Sequence, residues 1–307
     1  METKGNKAVA SDFVIGDTTG MSIAQLAEAT NKVFEGYYSP VNHTALGYGS
    51  FCRMYSLDVA NSVAVHDQNG RLAGLTMLGI RGNRGWVGGF GITPEFRGQG
   101  VAHLLVNGLI DRARSLNLQT LLLEVLVQNE PAFRTYQRAG FQTGRNMIIM
   151  AAPVTQVLPA LQPGHSVQME ISEVEPEEAI RLATRMEPAY GFEPCWQREP
   201  ATLYMTAGLR GIVAQRGGSP LAVLLYSHNP QTGAISIGNL TFYNEAAAKA
   251  LLERASVNSK ILRTREGAQE ETFRILNEPE NSELFSLLSE IGLQEVARQY
   301  EMMLTLS

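Results

Sequence analysis

The chain has 307 residues and a mass of 33.6 kDa, enough for one large domain or two of ordinary size. Hydrophobic residues make up 44% and charged residues 18%, which is typical of a folded, soluble protein rather than a disordered one. The formal net charge of −5 argues against a nucleic-acid partner, and no apolar run reaches the roughly 18 residues that span a membrane. The two cysteines, without a CxxC pair, predict neither a disulfide framework nor a metal site. We therefore expect a cytoplasmic protein with no metal, nucleic-acid or membrane partner.

A stretch rich in proline divides the chain almost in half. Proline cannot donate to a β-ladder and resists continuing a helix, so the stretch predicts a linker over residues 153–165. On either side we expect two domains, residues 12–152 and 166–307, after a flexible tail over residues 1–11.

A weak repeat suggests that the two domains are related. In the first half an apolar strand pattern is followed by Asn129 and, eleven residues later, by Gly140. In the second half Asn281 and Gly292 have the same spacing, and another apolar strand pattern follows each glycine. We therefore expect a tandem of two similar domains.

Hydrophobic periodicity predicts alternating helices and strands in the first half. The predicted elements are a helix over 23–34, strands over 63–66, 72–80 and 86–93, a helix over 100–115, a strand over 120–127, a helix over 131–139 and a strand over 141–150. This order is typical of an α/β or α+β layer architecture.

The pattern in the second half is less regular but similar in order. The predicted strands are 167–171, 212–215, 221–227, 234–242, one around Phe273 and one over 300–304, and the predicted helices are 177–186, 245–255 and 282–291.

The glycine-rich turn before the helix over 100–115 carries the most chemical information. The first N–H groups of a helix have no acceptor within it. Because Gly98 and Gly100 lack side chains, these N–H groups can approach an anion closely, and the helix dipole favours negative charge there. The turn therefore predicts a phosphate or pyrophosphate site. It matches neither a P-loop nor a Rossmann fingerprint, since His103 stands where the latter needs glycine.

Residues 97–102, with the sequence RGQGVA, resemble the pyrophosphate loop of the GNAT superfamily of acetyl-CoA-dependent N-acetyltransferases. Residues 129–141 resemble the superfamily's N-x-x-A-x-x-x-Y-x-x-x-G-F segment. The resemblance covers residues 12–150 well and the second half only as a degenerate copy, in which Leu288 stands where the first half has Tyr136. It implies two tandem acyl-CoA N-acyltransferase folds, each a mixed, splayed sheet flanked by helices, with the working site in the first.

The resemblance also implies that acetyl-CoA is the cosubstrate and lies in a splay between the strands over 86–93 and 120–127. Strand backbone would pair with the pantetheine arm, and amides of the glycine-rich turn would hold the pyrophosphate. The cofactor-binding residues expected on this basis are Ile92, Thr93, Arg97, Gly98, Gln99, Gly100, Val101, Ala102, His103 and Asn129. Asn129 can equally cap the helix that follows it.

The expected catalytic residues are Tyr136 and Glu124. Tyr136 would protonate the departing thiolate, although it can also be a tyrosine packed on a helix face. Glu124 is a candidate general base, and pairing with an arginine is an equally good interpretation. Histidine side chains can act as bases in proteins, so His43 and His66 are weaker candidates, and a water relay is a further alternative.

We expect an N-acetyltransferase in which a primary amine, on a small molecule or a peptide, attacks acetyl-CoA directly in a ternary complex. The alternative is a non-catalytic acyl-CoA-binding or sensing module. Residues 37–40 either shape the acceptor pocket or plug the core. A homodimer is the default expectation for the assembly.

Overall fold

The computed structural model describes residues 12–161, 168–186, 193–261 and 270–306. The chain divides into two compact units, one built from Met1–Gly144 with Tyr300–Ser307 and the other from Arg145–Gln299. The predicted tail and residues 162–165 of the predicted linker lie outside the described residues.

The first unit is a mixed sheet with helices on both faces. Its elements are β1 (Phe13–Asp17), α1 (Ile23–Val33), α2 (Ala45–Met54), β2 (Leu57–Asp67), β3 (Leu72–Arg81), β4 (Arg84–Ile92), α3 (Val101–Ser115), β5 (Thr120–Leu126), α4 (Glu130–Arg138), the start of β6 (Gln142–Pro153) and the end of β12 (Gln294–Thr305). Strands β1 to β5 follow one another in the sheet, antiparallel except for the parallel pair β4 and β5, and the end of β12 lies beside β5.

Local sequence signals account for most of these elements. The predicted cap Ser22 forms a capping box with Gln25 at the start of α1. The prediction missed β1 and α2. β1 is a short, exposed edge strand without an alternating apolar pattern, and α2 contains two glycines, which disfavour a helix. Thr44 offsets part of that cost by accepting a hydrogen bond from the N–H of Gly47, 3.1 Å away.

The two faces of the first sheet carry separate cores. On one face α1 and α2 pack on β3 through buried residues such as Leu26, Tyr48 and Met77. On the other face α3 and α4 pack on β5, and Leu109 and Leu123 belong to that core. The splayed region between β4 and β5 therefore lies between two well-packed layers.

The second unit has a similar element order. Its elements are β6 from Arg145, α5 (Val154–Leu161), β7 (Glu170–Val174), α6 (Pro176–Met186), α7 (Pro200–Leu203), β8 (Leu209–Arg216), β9 (Ser219–Asn229), β10 (Ala234–Phe242), α8 (Glu245–Ile261), β11 (Thr272–Pro279), α9 (Glu283–Glu290) and the start of β12. Its strands follow the order β6-β11-β10-β9-β8-β7, and β10 and β11 form the parallel pair.

The segment expected as a linker differs from that expectation. Pro153 ends β6, and α5 follows directly in spite of Pro159 in its interior. Val154, Val157 and Leu161 are buried in the core of the second unit, and this burial outweighs the cost of a proline in a helix. The division between the units falls after Gly144, because the rest of β6 pairs with β11.

The last residues of the chain also differ from the expected domain limits, because they belong to the first unit. Met302 is completely buried in the core that α3, α4 and β5 share. The N–H of Leu306 donates to the carbonyl of Gln119, 2.8 Å away, and the ring of Tyr300 packs on Phe133 at 5.1 Å. The C-terminal strand thus completes the first unit.

Candidate functional site

The site begins where β4 and β5 separate. The two strands pair from Arg84 and Thr120 only as far as Trp86 and Leu122, although β4 continues to Ile92. A β-bulge at Gly88 shifts the register of β4 against β3 just after this point. A bulge bends its strand and increases the local twist, which turns β4 away from β5. The backbone groups along the resulting splay are available to another extended chain.

Gly88 is required at this bulge by close packing. A Cβ at this position would overlap the side chains of Leu57 and Trp86. The glycine content of β4, unusual for a strand, therefore reflects the bulge and the tight packing around it.

A cleft of about 1030 Å³ opens at the splay. It is lined by the end of β4, by the turn before α3, by the first residues of α4 and by Phe34, Tyr37 and Tyr38, which follow α1. Of the expected cofactor-binding residues, those that line it are Ile92, Arg97, Gly98, Gln99, Gly100, Val101, Ala102, His103 and Asn129. The structure thus brings together nine of the ten residues that the sequence grouped.

The turn before α3 presents a row of N–H groups. Gly98 and Gly100 have φ angles of +76° and +86°, which favour glycine, and a Cβ at either position would meet no atom within 4 Å. Gly100 is the N-cap of α3 and provides no side-chain cap. Within the described part of the chain, the N–H groups of residues 98–102 have no acceptor. Such a row of unpaired donors suits an anion.

Thr93 lies outside this cleft, contrary to the expectation that it contacts pantetheine. Its N–H donates to the carbonyl of Ala73 at 3.0 Å, and its carbonyl accepts from the N–H of Phe96 at 3.0 Å. Its hydroxyl donates to the carbonyls of Leu72 and Ala73 at 3.1 Å each. The N–H of Thr93 is therefore used by β3, and its carbonyl is used by the turn that follows.

The Arg97 guanidinium points toward the end of α1. It donates to the carbonyls of Ile92 at 3.1 Å, Glu35 at 2.6 Å and Val33 at 3.4 Å. The last carbonyls of a helix lack partners and carry partial negative charge, so a cation is stabilised there. Arg97 therefore lines the cleft, while its Nε and Nη2 groups donate to backbone carbonyls.

Asn129 combines the two roles that the sequence left open. Its side-chain oxygen accepts from the N–H of Ala132 at 3.4 Å and caps α4, while the residue lines the cleft. Burial raises the pKa of the Tyr37 hydroxyl, and the nearby Asn129 side chain opposes this shift. The neighbouring Tyr38 hydroxyl donates to the carbonyl of Gln128 at 3.0 Å. Tyr38 is 54% exposed, so it is a wall of the cleft and not a plug in the core.

Tyr136 lies on α4 beneath the cleft and does not line it. Its ring packs on Phe90 at 5.4 Å and on Phe141 at 5.7 Å, and the residue is 5% exposed. Burial raises the pKa of its hydroxyl, and the nearby Tyr37 contributes to the same shift. Tyr136 is therefore protonated throughout the physiological pH range.

Glu124 is on β5, and its side chain is on the opposite face of the sheet from Tyr136. Its carboxylate accepts a hydrogen bond from the indole N–H of Trp86, 2.9 Å away. Leu123 and Val125 share the core of Tyr136, and because side chains alternate along a strand, Glu124 faces the layer that α1 and α2 cover. It does not line the cleft.

Neither candidate histidine lies at the cleft. The ring of His43 packs on Tyr48 at 5.1 Å and on Phe51 at 5.3 Å, and burial lowers its pKa. His66 is on β2, where it pairs with Val14 of the edge strand.

The second unit has a similar bulge, and its parallel strands β10 and β11 also separate, but the gap between them is filled. The bulge is at Gly238, and β10 and β11 pair only as far as Ile237 and Ile275. The Arg198 guanidinium occupies the gap, where it donates to the carbonyl of Gly238 at 3.1 Å and forms a buried ion pair with Glu278. The cavity that remains there measures about 40 Å³.

The helix that follows β10 also differs from α3. The side chain of Asn244 accepts from the N–H of Ala247 at 2.9 Å, so this helix start is capped by its own chain. Leu288, at the position that corresponds to Tyr136, is completely buried. At these positions the second unit therefore differs from the first.

The described residues contain neither a membrane-spanning helix nor a metal-binding cluster. No helix among them is both long and apolar enough to cross a membrane. The same part of the chain contains no cluster of three or more His, Cys, Asp or Glu residues that could hold a metal ion.

Residues 26–141 match the sequence profile of the acetyltransferase (GNAT) family. N-alpha-acetyltransferase 30 of Schizosaccharomyces pombe is 38% identical over 58 residues, which are 19% of this chain and 39% of that protein. The uncharacterized N-acetyltransferase YdgE of Bacillus subtilis is 42% identical over 52 residues, which are 17% of this chain and 33% of that protein. The chain thus spans well under half the length of these curated relatives.

Solved structures match over nearly the whole chain. A GCN5-related N-acetyltransferase from Sphaerobacter thermophilus has a TM-score of 0.69 and 17% identity, and the match covers 97% of both chains. A tandem GNAT protein from the clavulanic acid biosynthesis pathway, without acetyl-CoA, has a TM-score of 0.68 and 14% identity, covering 96% of this chain and 98% of that one. Residues 26–141 therefore form a domain of the GNAT acetyltransferase family, in a chain that has the fold of tandem GNAT proteins.

Proposed function

We propose that the first unit transfers the acetyl group of acetyl-CoA to a primary amine by direct attack in a ternary complex. One observation carries the proposal: the splay between β4 and β5 leads to a turn with a row of N–H groups that have no acceptor in the described chain. A long, flexible thioester that ends in phosphates fits this combination of an open strand edge and an anion site.

The residues present suit such a ligand. The N–H groups of residues 98–102, at the positive end of the α3 dipole, would hold the pyrophosphate. The part of β4 that does not pair with β5 includes Ile92. It would extend the sheet by pairing with the pantetheine amides. His103 and Asn129, which also line the cleft, would contact the ligand through packing.

In the reaction the amine nitrogen attacks the thioester carbonyl carbon, and the carbon–sulfur bond breaks. Tyr136 donates its proton to the departing thiolate and recovers one from water. The proton that the amine nitrogen loses passes through water to Glu124, because Glu124 does not line the cleft. Tyr136 and Glu124 lie on opposite faces of the sheet, so the acid and the base are separated across the splay.

Tyr136→Phe tests the role of the phenol as an acid. We expect turnover to fall by roughly 10²–10⁴-fold, because the thiolate then leaves without a proton donor. The acetyl-CoA affinity should stay close to that of the unmodified protein, since the ring packing on Phe90 and Phe141 is kept. Steady-state kinetics and calorimetric titration measure the two quantities.

Tyr300→Phe is the matched control for this substitution. Tyr300 packs its ring on Phe133 in the same unit, and its hydroxyl has no role in the proposed reaction. An equal loss of turnover in both variants, or an undiminished rate in Tyr136→Phe, would remove Tyr136 from the mechanism.

The function itself is tested in two steps. A ligand at 100 times its dissociation constant stabilises the unit that binds it by about 2.7 kcal/mol. For a unit of this size we expect acetyl-CoA to raise the melting temperature by roughly 5–10 °C. Release of free thiol is then followed with a panel of small-molecule and peptide amines. The absence of any shift at saturating acetyl-CoA would contradict the proposed cosubstrate.

Amine-dependent thiol release also separates the enzyme from a non-catalytic acyl-CoA-binding module. A sensing module would show the thermal shift and no turnover with any amine. We also propose a cytoplasmic location, a homodimeric assembly and no nucleic-acid or membrane partner.

A further inference from the structure

Arg97 joins two parts of the first unit that are distant in sequence. Its guanidinium donates to the carbonyls of Val33 and Glu35 as well as to that of Ile92 in its own turn. Two of these three bonds therefore hold the end of α1 against the glycine-rich turn. The Lys32–Glu95 ion pair, with 2.9 Å between Nζ and Oε1, connects the same two elements.

The segment that follows α1, Phe34–Tyr38, is held again at its other end. The Tyr38 hydroxyl donates to the Gln128 carbonyl at 3.0 Å, and Tyr37 lines the cleft together with Asn129. Gln128 and Asn129 lie just after β5, whereas Arg97 follows β4. The segment is thus tied to the chain beyond both strands that form the splay.

The position of the segment distinguishes the two sides of the splay. The glycine-rich turn leads into α3, which packs with α4 on one face of the sheet, while α1 packs on the other face. Phosphates bound at the start of α3 therefore leave the α1 side to the second substrate. Phe34, Tyr37 and Tyr38, which follow α1, line the cleft there.

We propose that Arg97 is a positioning residue for the amine site: it holds Phe34–Tyr38 as the wall against which the acceptor amine binds, and it does not bind the pyrophosphate of acetyl-CoA. This inference rests on the proposed function of the cleft. In this arrangement the Arg97 guanidinium stabilises the acceptor site, and the backbone N–H groups of the glycine-rich turn bind the pyrophosphate.

The proposal predicts that Arg97→Met changes the amine parameters and not the cosubstrate affinity. We expect the KM for the amine, measured at saturating acetyl-CoA, to rise roughly 10-fold or more, because charge-assisted hydrogen bonds to the segment are lost. The dissociation constant of acetyl-CoA should stay within about threefold of the original, a change too small for the loss of a phosphate contact. Arg97→Lys keeps the charge and one donor group, so its KM for the amine should lie between those of Arg97→Met and the unmodified protein.

Hydrogen exchange provides a readout that needs no acceptor. The N–H groups of Phe34, Glu35 and Tyr37 donate to carbonyls in the last turn of α1 and just beyond it. We expect peptides that cover residues 33–38 to exchange faster in Arg97→Met, and to recover partly in Arg97→Lys.

Arg71→Met is the matched control. Arg71 also lies against the turn, 5.1 Å from the ring centre of Phe96, but it pairs with Asp67 and makes no bond to α1. Exchange over residues 33–38, acetyl-CoA affinity and the KM for the amine should be unchanged in this variant.

Two results would overturn the proposal. One is a weakening of acetyl-CoA binding by 10-fold or more in Arg97→Met with unchanged exchange over residues 33–38, which would make Arg97 a phosphate ligand. The other is unchanged exchange and an unchanged KM in Arg97→Met. If the unmodified protein bound no acetyl-CoA, the proposed function would fail together with this inference, and the absence of binding would identify that case.

Discussion

Gly100→Glu is expected to abolish acetyl-CoA binding, with an affinity loss of at least about 100-fold. Gly100 caps α3, and a side chain there would project into open space beside the row of N–H groups in the turn. The new carboxylate would accept these donors and repel the phosphates, and like charges in contact cost several kcal/mol. Calorimetric titration and the loss of the acetyl-CoA-dependent thermal shift measure the effect.

Gly70→Glu is the control for backbone strain. Gly70 has a φ of +76°, close to the +86° of Gly100, and a Cβ at Gly70 also meets no atom within 4 Å. A residue other than glycine in this conformation costs roughly 1–2 kcal/mol, so both variants should melt at a slightly lower temperature. Only Gly100→Glu should lose binding. If both variants bound acetyl-CoA equally well, the turn before α3 would not be the anion site.

Met302→Asp is expected to unfold the first unit at temperatures where the second unit is still folded. Met302 belongs to the second half of the sequence, but its side chain is completely buried with Leu121 and Phe141 of the first unit. Removing the buried side chain and introducing an unpaired carboxylate should lower the free energy of unfolding by about 4 kcal/mol or more. Calorimetry with and without acetyl-CoA identifies the transition that the ligand stabilises.

Met303→Asp changes the next residue of the same strand and serves as the comparison. Met303 is 45% exposed, so the same substitution should alter stability by no more than about 0.5 kcal/mol. A chain that ends before Tyr300 should resemble Met302→Asp, because it also lacks the strand beside β5. Equal stability of Met302→Asp and Met303→Asp would contradict the placement of the C-terminal strand in the core of the first unit.

The regular elements near the site were largely predictable because their signals are local. The helix after the glycine-rich turn, the strand over 120–127 and the helix over 131–139 differ from α3, β5 and α4 by one residue at most at each end. Helix α5 was not predicted, because its stability comes from burying Val154 and Val157 in a core that periodicity alone does not reveal. The bulge at Gly88 was also missed, although the run of glycines in β4 was a signal for it.

Most of the positions that the sequence grouped line the cleft, but some of their side chains point in directions that the sequence did not indicate. Arg97 was expected at the anion, but the open carbonyls after α1 are strong acceptors and lie within its reach. Thr93 was expected at the ligand, but it completes the pairing of its strand with β3. Tyr37 and Tyr38 had two equally good interpretations, and the exposure of Tyr38 and its hydrogen bond to Gln128 place it at the wall of the cleft.

The sequence by itself determined the row of N–H groups without acceptors at the start of α3, because that row depends on local properties. Gly98 and Gly100 allow a left-handed backbone, and the first N–H groups of any helix lack acceptors. Only the tertiary structure decided where β4 and β5 part, where Arg97 points, and that Met302 completes the first unit. These features depend on strand pairing and burial between residues far apart in the chain, and local periodicity contains no information about such partners.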